Sequence, residues 1–484
     1  MSSTRLIVGP FNRVEGDLEV RLDLADGRVR SAQVVSPMYR GFEPMLVGRD
    51  PLDALVIVPR ICGICSVSQS LAAARALASA AGVQPPPNGT LALNLLAATE
   101  NAADHLTHFY LFFMPDFTRP VYAGRAWFDD AVRRYASDGG EQLRAMLAAR
   151  ARWFELMGLL GGRWPHTHSL LPGGSSRAIE AAERLRLLAR VREFRAWLER
   201  QLYGAPLEDV LGLRDEVQLQ AWATRGTAGD LRRFITIAAD CGLAVLGRGP
   251  GRCLSYGAFP DALGTPAFAP GLWQAGGVTP PDLDGITEDA THAWLADAGG
   301  PRHPRDGLTR PDAAKHEAYT WNKAPRLAGQ VVETGAVARQ LCAGQPLVAD
   351  LAQRHGITVY TRVIARLVEL ARLVPLMEAW LQALAPREPF AAPLNLPPDA
   401  EGVGLNEAAR GALGHWLRME GGRIAQYQIV APTSWNFSPR DAAGTPGPLE
   451  QALVDAPVQP GEATPVAVQH IVRSFDPCMV CTVH

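Results

Sequence analysis

An α+β fold, predominantly α-helical, is what the sequence predicts: a central bundle of long helices with antiparallel strands at its periphery. Three observations carry this reading. Residues 5–37 alternate apolar and polar, long later segments repeat apolar residues with helical period, and a strand-like stretch, GRIAQYQIVAP, returns near the C-terminus.

Taken in order, LEVRLDLADGRVRSAQVV with Asp26-Gly27 at its centre reads as a β-hairpin, because Asp-Gly suits the tight turn that twisted strands need. From Asp53 to about Met114 the pattern is helical. SQSLAAARALASAAG ends on a glycine stop, and after Pro85-Pro86-Pro87-Asn88-Gly89 a long apolar-periodic helix runs through LALNLLAATENAADHLTHFYLFF. Helices are expected again at about 141–160, 176–203, 229–246 and 358–386. Residues 247–330 are rich in Gly, Pro and Asp, yet Trp and Tyr recur, so they read as an irregular excursion with short strands. Pro-rich text at 386–398 breaks the helical pattern. A strand pair around GRIAQYQIVAP, a short helix near 466–473 and a tail complete the chain. No internal repeat divides it, and residues 1–484 are expected to form one unit.

Composition narrows the function. The chain has 484 residues, 47% of them hydrophobic and 20% charged, with a net charge of -2. That is globular text without the basic footprint of a nucleic-acid binder. No run of about 18 apolar residues suggests a membrane span. The start, MSSTRLIVGPFNRVEGD, lacks a signal-peptide pattern, so a cytoplasmic location is expected.

Seven cysteines are too few and too odd for a disulfide framework. Four form two C-x-x-C pairs, Cys62/Cys65 in RICGIC and Cys478/Cys481 in DPCMVC; Cys241, Cys253 and Cys342 are scattered and read as small buried apolar residues. Two pairs together make a four-thiolate site. Zinc ribbons place their pairs about 15–20 residues apart, whereas 412 residues lie between Cys65 and Cys478. Structural zinc, a [4Fe–4S] cluster, another redox metal and no shared site all remain open on spacing alone, since thiolates suit several metals. If the pairs do share a metal, the first and last segments must meet, and the C-terminal tail, a place where chains usually fray, must be buried.

With their flanks, both pairs resemble the signature ends of [NiFe] hydrogenase large subunits. The resemblance extends over nearly the whole chain. Arg13-Val14-Glu15-Gly16 resembles the family's R-[IV]-E-G, and Arg40-Gly41-Phe42-Glu43 its R-G-x-E. Gly161-Gly162-Arg163-Trp164-Pro165-His166 with Pro172-Gly173-Gly174 resembles G-G-x-x-P-H…P-G-G. Glu407-Ala408-Ala409-Arg410-Gly411 with Gly414-His415-Trp416 resembles E-A-P-R-G…G-H-W. Pro432-Thr433-Ser434-Trp435-Asn436 with Ser438-Pro439-Arg440-Asp441 resembles P-[ST]-[ST]-W-N…P-R-D.

The resemblance implies heterolytic splitting of hydrogen at a Ni–Fe centre whose iron carries CO and two cyanides. Cys62 and Cys478 would be terminal nickel ligands, and Cys65 and Cys481 would bridge nickel to iron. Glu15 would accept the proton. Arg410 would lie over the open metal position, fixed by Asp116 and Asp476 as carboxylate partners, and Thr433 or Ser434 would donate to a cyanide. Glu43 and His484 would hold a structural Mg²⁺, although a histidine on magnesium is unusual. His105 and His108 read as helix-interior packing and hydrogen-bonding residues. The three remaining cysteines cannot form an electron relay, so Fe–S clusters are expected on a small partner subunit.

Several departures point to the hydrogen-sensing, regulatory branch. Gln69 stands where the family's C-G-x-C-x-x-x-H has histidine, Asp17 follows Arg-Val-Glu-Gly, and Ala409 replaces proline. Ile64 and Phe112 are bulkier than the Val and Leu of oxygen-sensitive relatives, which implies a narrowed gas channel. The sensor reading implies low turnover, a sensor histidine kinase as a further partner and a higher oligomer of heterodimers. A respiratory uptake hydrogenase is the alternative. A relative that kept the fold but lost nickel, like the quinone-oxidoreductase subunits, is disfavoured by four intact cysteines.

Overall fold

The structure is a computed structural model and describes residues 4–226, 228–297, 299–482 and 484. Its N-terminal sheet has three antiparallel strands in the order β1 (Thr4–Val8), β2 (Glu19–Ala25) and β3 (Arg28–Val35). The expected hairpin is β2–β3. Asp26 and Gly27 at its turn have φ of 54° and 68°, the left-handed pair that matches strand twist. Val20, Leu22, Val29, Ala32 and Val34 are buried, so one sheet face packs inward. Strand β1 is an addition to the expected pair.

Helix α1 (Ser66–Ala81) starts directly after Cys65 and stops at Gly82, whose φ of 63° is the left-handed conformation that ends helices. Helix α2 (Pro87–Thr107) opens with proline in its first turn and runs into a π-helical segment, His108–Phe113. Nearly all of α2 is buried, so it is a core helix. Helix α3 (Ala181–Trp197) and the 25-residue α4 (Val359–Ala383) complete the bundle's long members, and α4 packs against both α2 and α3. No helix among the described residues is long and apolar enough to cross a membrane.

A second antiparallel sheet orders β4 (Ala400–Ala408), β5 (Gly411–Glu420) and β6 (Arg423–Val430). The sequence suggests only a pair here. Strand β4 contains Gly402 and Gly404, which weaken a strand reading. Their reason is contact: a β-carbon on either would run into the backbone of Ala76 or Ala72, so α1 lies directly on β4. Residues 247–330 fold as short two- and three-stranded pieces, including Arg252–Ser255 paired with Gly271–Gln274.

The chain ends meet. Glu15 and Cys478 form a parallel bridge, and the Met479 amide donates to the Glu15 carbonyl at 2.7 Å. Gly16 has φ of 79°, and a β-carbon there would lie 2.9 Å from Val480 Cγ1. Only glycine fits both that conformation and that approach. Helix α5 (Val466–Ser474) leads into this segment.

Candidate metal centre

Four cysteine sulfurs converge. Those of Cys62, Cys65, Cys478 and Cys481 all lie within 4.8 Å of one another, and all four residues are buried. Cys62 ends a short 3₁₀ turn in an extended conformation, and Cys65 occupies the N-cap of α1. Cys478 precedes a single helical turn, Met479–Thr482, that includes Cys481. Sulfur pairs across the two motifs are close: Cys62 to Cys478 at 3.4 Å and Cys65 to Cys481 at 3.3 Å. Arg40 ties the two loops together by donating to the carbonyls of Ile61 and Val480.

Hydrogen bonds from the other sulfurs pull the Cys62 thiol well below its usual range, with Arg410 adding to the effect. Burial, and then hydrogen bonds with the sulfurs of Cys481 and Cys62, push Cys478 well above it. The cluster therefore holds protons that a cation would displace.

Around the sulfurs, burial and then the Cys62 charge raise the Glu15 carboxyl. Arg410 is buried. Its Nε donates to the Asp476 carbonyl and one Nη to Asp476 Oδ1, both at 3.0 Å. Its other Nη lies 3.0 Å from Asp104 Oδ2 without an aligned hydrogen bond.

Of the two carboxylates expected beside Arg410, Asp476 contacts it, whereas Asp116 pairs elsewhere. Asp116 ion-pairs with Arg13 and, at 2.7 Å, with Arg473. Arg410's second carboxylate is Asp104. Twelve residues of mostly helical chain, about 18 Å of rise, separate the two acids, so one cannot stand in for the other. The sequence shows two acids one turn apart in this helix, Glu100 and Asp104, but gives no sign that Asp104 turns toward Arg410.

Thr433 Oγ1 accepts from the Cys478 amide at 3.2 Å, while the buried Ser434 hydroxyl has no hydrogen-bond partner. Ile64 is half-buried beside the cysteines, and its amide faces Cys62 Sγ at 3.3 Å. Phe112 is half-buried on the π-helical segment, and its carbonyl accepts from Arg13 at 2.9 Å. Gln69 points its amide nitrogen at Cys481 Sγ, 3.9 Å away, and its oxygen at His415 Nε2, 2.9 Å away. The other nitrogen of His415 meets the Tyr427 hydroxyl at 2.8 Å. That chain orients the Gln69 N–H toward sulfur.

A second polar cluster adjoins the tail. Glu43 lies 3.3 Å from His484 Nε2, takes the Ile429 amide at 2.8 Å and accepts from Thr309. Lys323, hydrogen-bonded to Glu288 and Gln428, lies near its outer oxygen. Lys323 and His484 hold the Glu43 carboxyl down to about 2 despite its burial. His484 Nδ1 lies 2.7 Å from the Cys481 carbonyl, so this cluster touches the thiolate loop. His105 meets Glu369 at 2.9 Å and His108 the Arg473 carbonyl at 2.7 Å, both deep in the core.

The donor set fits a soft, thiolate-seeking metal centre. The buried Ser434 hydroxyl, next to the Thr433 that accepts the Cys478 amide, has no hydrogen-bond partner and leaves polar capacity for a further group. Fold and site together define a protein built round a buried four-thiolate centre that its two chain ends assemble. The chain belongs to the nickel-dependent hydrogenase family, whose model matches residues 40–136 and 142–484, and it is a [NiFe]-type hydrogenase large subunit. It is 30% identical to the periplasmic [NiFeSe] hydrogenase large subunit of Desulfomicrobium baculatum, over 99% of this chain and 95% of that one. It is also 30% identical to the Hydrogenase-1 large chain of Escherichia coli K12, with the same coverage. The Ni-Fe-Se hydrogenase of D. vulgaris Hildenborough in the reduced state superposes with a TM-score of 0.86, at 29% identity and full coverage of both chains.

Proposed function

We propose that this large subunit serves a regulatory hydrogenase that senses hydrogen and signals to a histidine kinase, acting as one unit over residues 1–484. The observation that carries the reading is Gln69. It replaces a titratable histidine beside Cys481 with an amide that donates a hydrogen bond but relays no proton. That suits detection more than fast turnover.

Cys62 and Cys478 would hold nickel, Cys65 and Cys481 would bridge it to iron, and CO and two cyanides would complete the iron. When bound, this centre supplies Lewis-acid polarisation of hydrogen. Glu15, its carboxyl raised by burial beside Cys62, receives the proton. Arg410, held on Asp476 and facing Asp104, stabilises charge developed next to it. Thr433 and Ser434 offer hydroxyls to a cyanide, and Glu43 and His484 hold Mg²⁺. Electrons leave through Fe–S clusters of a small subunit. The exposed apolar residues Met45, Val47, Leu52 and Val56 lie on the segment leading to Cys62 and offer it a docking face. Ile64 and Phe112 narrow the gas route to the centre.

Infrared spectra of the purified complex test the centre: bands of metal-bound CO and CN are expected, and their absence would remove that assignment. Hydrogen-dependent phosphorylation of a co-purified histidine kinase tests the sensing role. An uptake role is the second reading, favoured by the 28% identity to the uptake hydrogenase large subunit of Cupriavidus necator over 99% of this chain. Rapid hydrogen oxidation with no kinase response would establish it instead.

A further inference from the structure

Helix α1 begins with an unusual constraint. Its N-cap position is Cys65, a site normally filled by Ser, Thr, Asp or Asn, whose side chain accepts the free amides of the first turn. The Cys65 sulfur turns into the thiolate cluster and makes no cap hydrogen bond. The amides of Val67 and Ser68, at the second and third helical positions, are nonetheless satisfied. Glu100, from the middle of α2, accepts Val67 N on one oxygen at 2.8 Å and Ser68 N on the other at 2.9 Å. The Ser68 hydroxyl and the Trp164 indole N–H add donors at 2.9 and 3.2 Å.

We infer that Glu100 is a surrogate N-cap, a positioning residue that fixes the first turn of α1, and so the Cys65 sulfur, from a neighbouring helix. The carboxylate matches the job twice. Its two oxygens reach two successive amides, as no single hydroxyl could. Its charge also sits at the positive end of the helix, where it offsets a field that otherwise points at the thiolates. Burial pushes the Glu100 carboxyl up to about 7 in spite of its four donors, so its charge is fully present only in mildly alkaline solution.

The test compares Glu100→Gln with Ser68→Ala in the nickel-loaded complex at about pH 8.5, well above that carboxyl. Glutamine keeps the size but turns an N–H toward one of the two amides. Three readouts are taken: amide hydrogen exchange in the peptide spanning residues 66–70, nickel retention against a chelator, and the CO infrared band. For Glu100→Gln, exchange there should quicken about tenfold, the scale of a lost cap, and nickel should leave faster. The CO band should move to higher frequency, because a nearby negative charge has gone. Ser68→Ala removes one donor but leaves both capped amides, so it should match the parent in all three.

The infrared arm rests on the proposed CO ligand. If the parent shows no such band, that ligand assignment fails, and exchange and nickel retention still decide the cap. Parent-like exchange and nickel retention in Glu100→Gln would overturn the inference. So would a Ser68→Ala variant that reproduces the losses, since the carboxylate would then serve only to satisfy a buried hydroxyl. If Glu100→Gln fails to fold, Ser68→Ala decides through its exchange, parent-like values supporting the cap and quickened values opposing it.

Discussion

Asp104 and Arg410 face each other at 3.0 Å in the buried wall of the thiolate site, yet no hydrogen bond aligns between them. Asp476 takes the rest of the guanidinium through two contacts at 3.0 Å. Arg410 is thus a charge stretched between two anchors, which needs a planar fork. Arg410→Lys keeps the charge and loses the fork. Nickel content should stay at the parent level while hydrogen–deuterium exchange activity falls about a hundredfold. Full activity in the lysine variant would show that position, not fork geometry, is what matters.

Much of this centre was legible as text. The cysteine pairs carry their own flanks, and Glu15, Glu43, Arg410, Asp476 and His484 sit at fixed offsets inside motifs. Asp104 was not, because its motif is only a place on a helix, and a linear reading cannot tell which of two acids on one long apolar stretch turns toward an arginine more than 300 residues away. The long helices were legible because their apolar residues repeat. Strand β4 was not, because Gly402 and Gly404 make room for α1 and so erase the side-chain signal of a strand. The trans cap of Cys65 was hidden for the same reason as Asp104: it depends on which helices touch.

Asp116 has other partners than the Arg410 that the resemblance implied for it. It ties Arg13 of the N-terminal segment to Arg473 of α5, beside the joint between the chain ends. Asp116→Ala leaves Arg473, which is 1% exposed, without its counter-ion. The folded chain should lose about 3–5 kcal/mol, the scale of breaking a buried pair. Denaturant midpoints should show this, and the surviving folded fraction should keep its activity per nickel. A variant as stable as the parent but inactive would return Asp116 to the active site.

His484 joins Glu43 to the carbonyl of Cys481. Removing the ring takes away both contacts, three residues from Cys481, a proposed metal ligand. If Glu43 and His484 hold the proposed magnesium, His484→Ala should abolish it and make nickel labile to chelators, both read by metal analysis. Full nickel retention would show that the tail needs no anchor.

Ile64 sits between Cys62 and Cys65, and Phe112 at the π-helical end of the long helix. Interiors are close-packed, so one methylene or one ring can shut a passage. Ile64→Val with Phe112→Leu should leave metal content and anaerobic hydrogen response unchanged and should bring loss of activity under oxygen. If the double variant tolerates oxygen like the parent, the two side chains are packing alone.

Stability should also depend on pH through Glu450. Glu450 is buried beneath β3. One oxygen accepts the Val34 amide at 3.0 Å and the Tyr319 hydroxyl at 2.8 Å, while the other has no hydrogen-bond partner. Burial raises its carboxyl to about 7. Between its unfolded value of 4.5 and that figure, the folded chain holds a proton that the unfolded chain releases. Stability from this group is therefore full below about pH 4.5 and lost as pH rises through 7. The shift corresponds to about 3 kcal/mol. Glu450→Gln keeps the accepting oxygen and places an uncharged amide where the unpaired one lies. Its stability should match the parent at about pH 4 and exceed it by a comparable amount at about pH 8.5, measured by urea denaturation at each pH. Equal pH dependence in the two chains would mean that Glu450 keeps its charge in the fold, with Arg440, 4.0 Å away, as the partner that holds it.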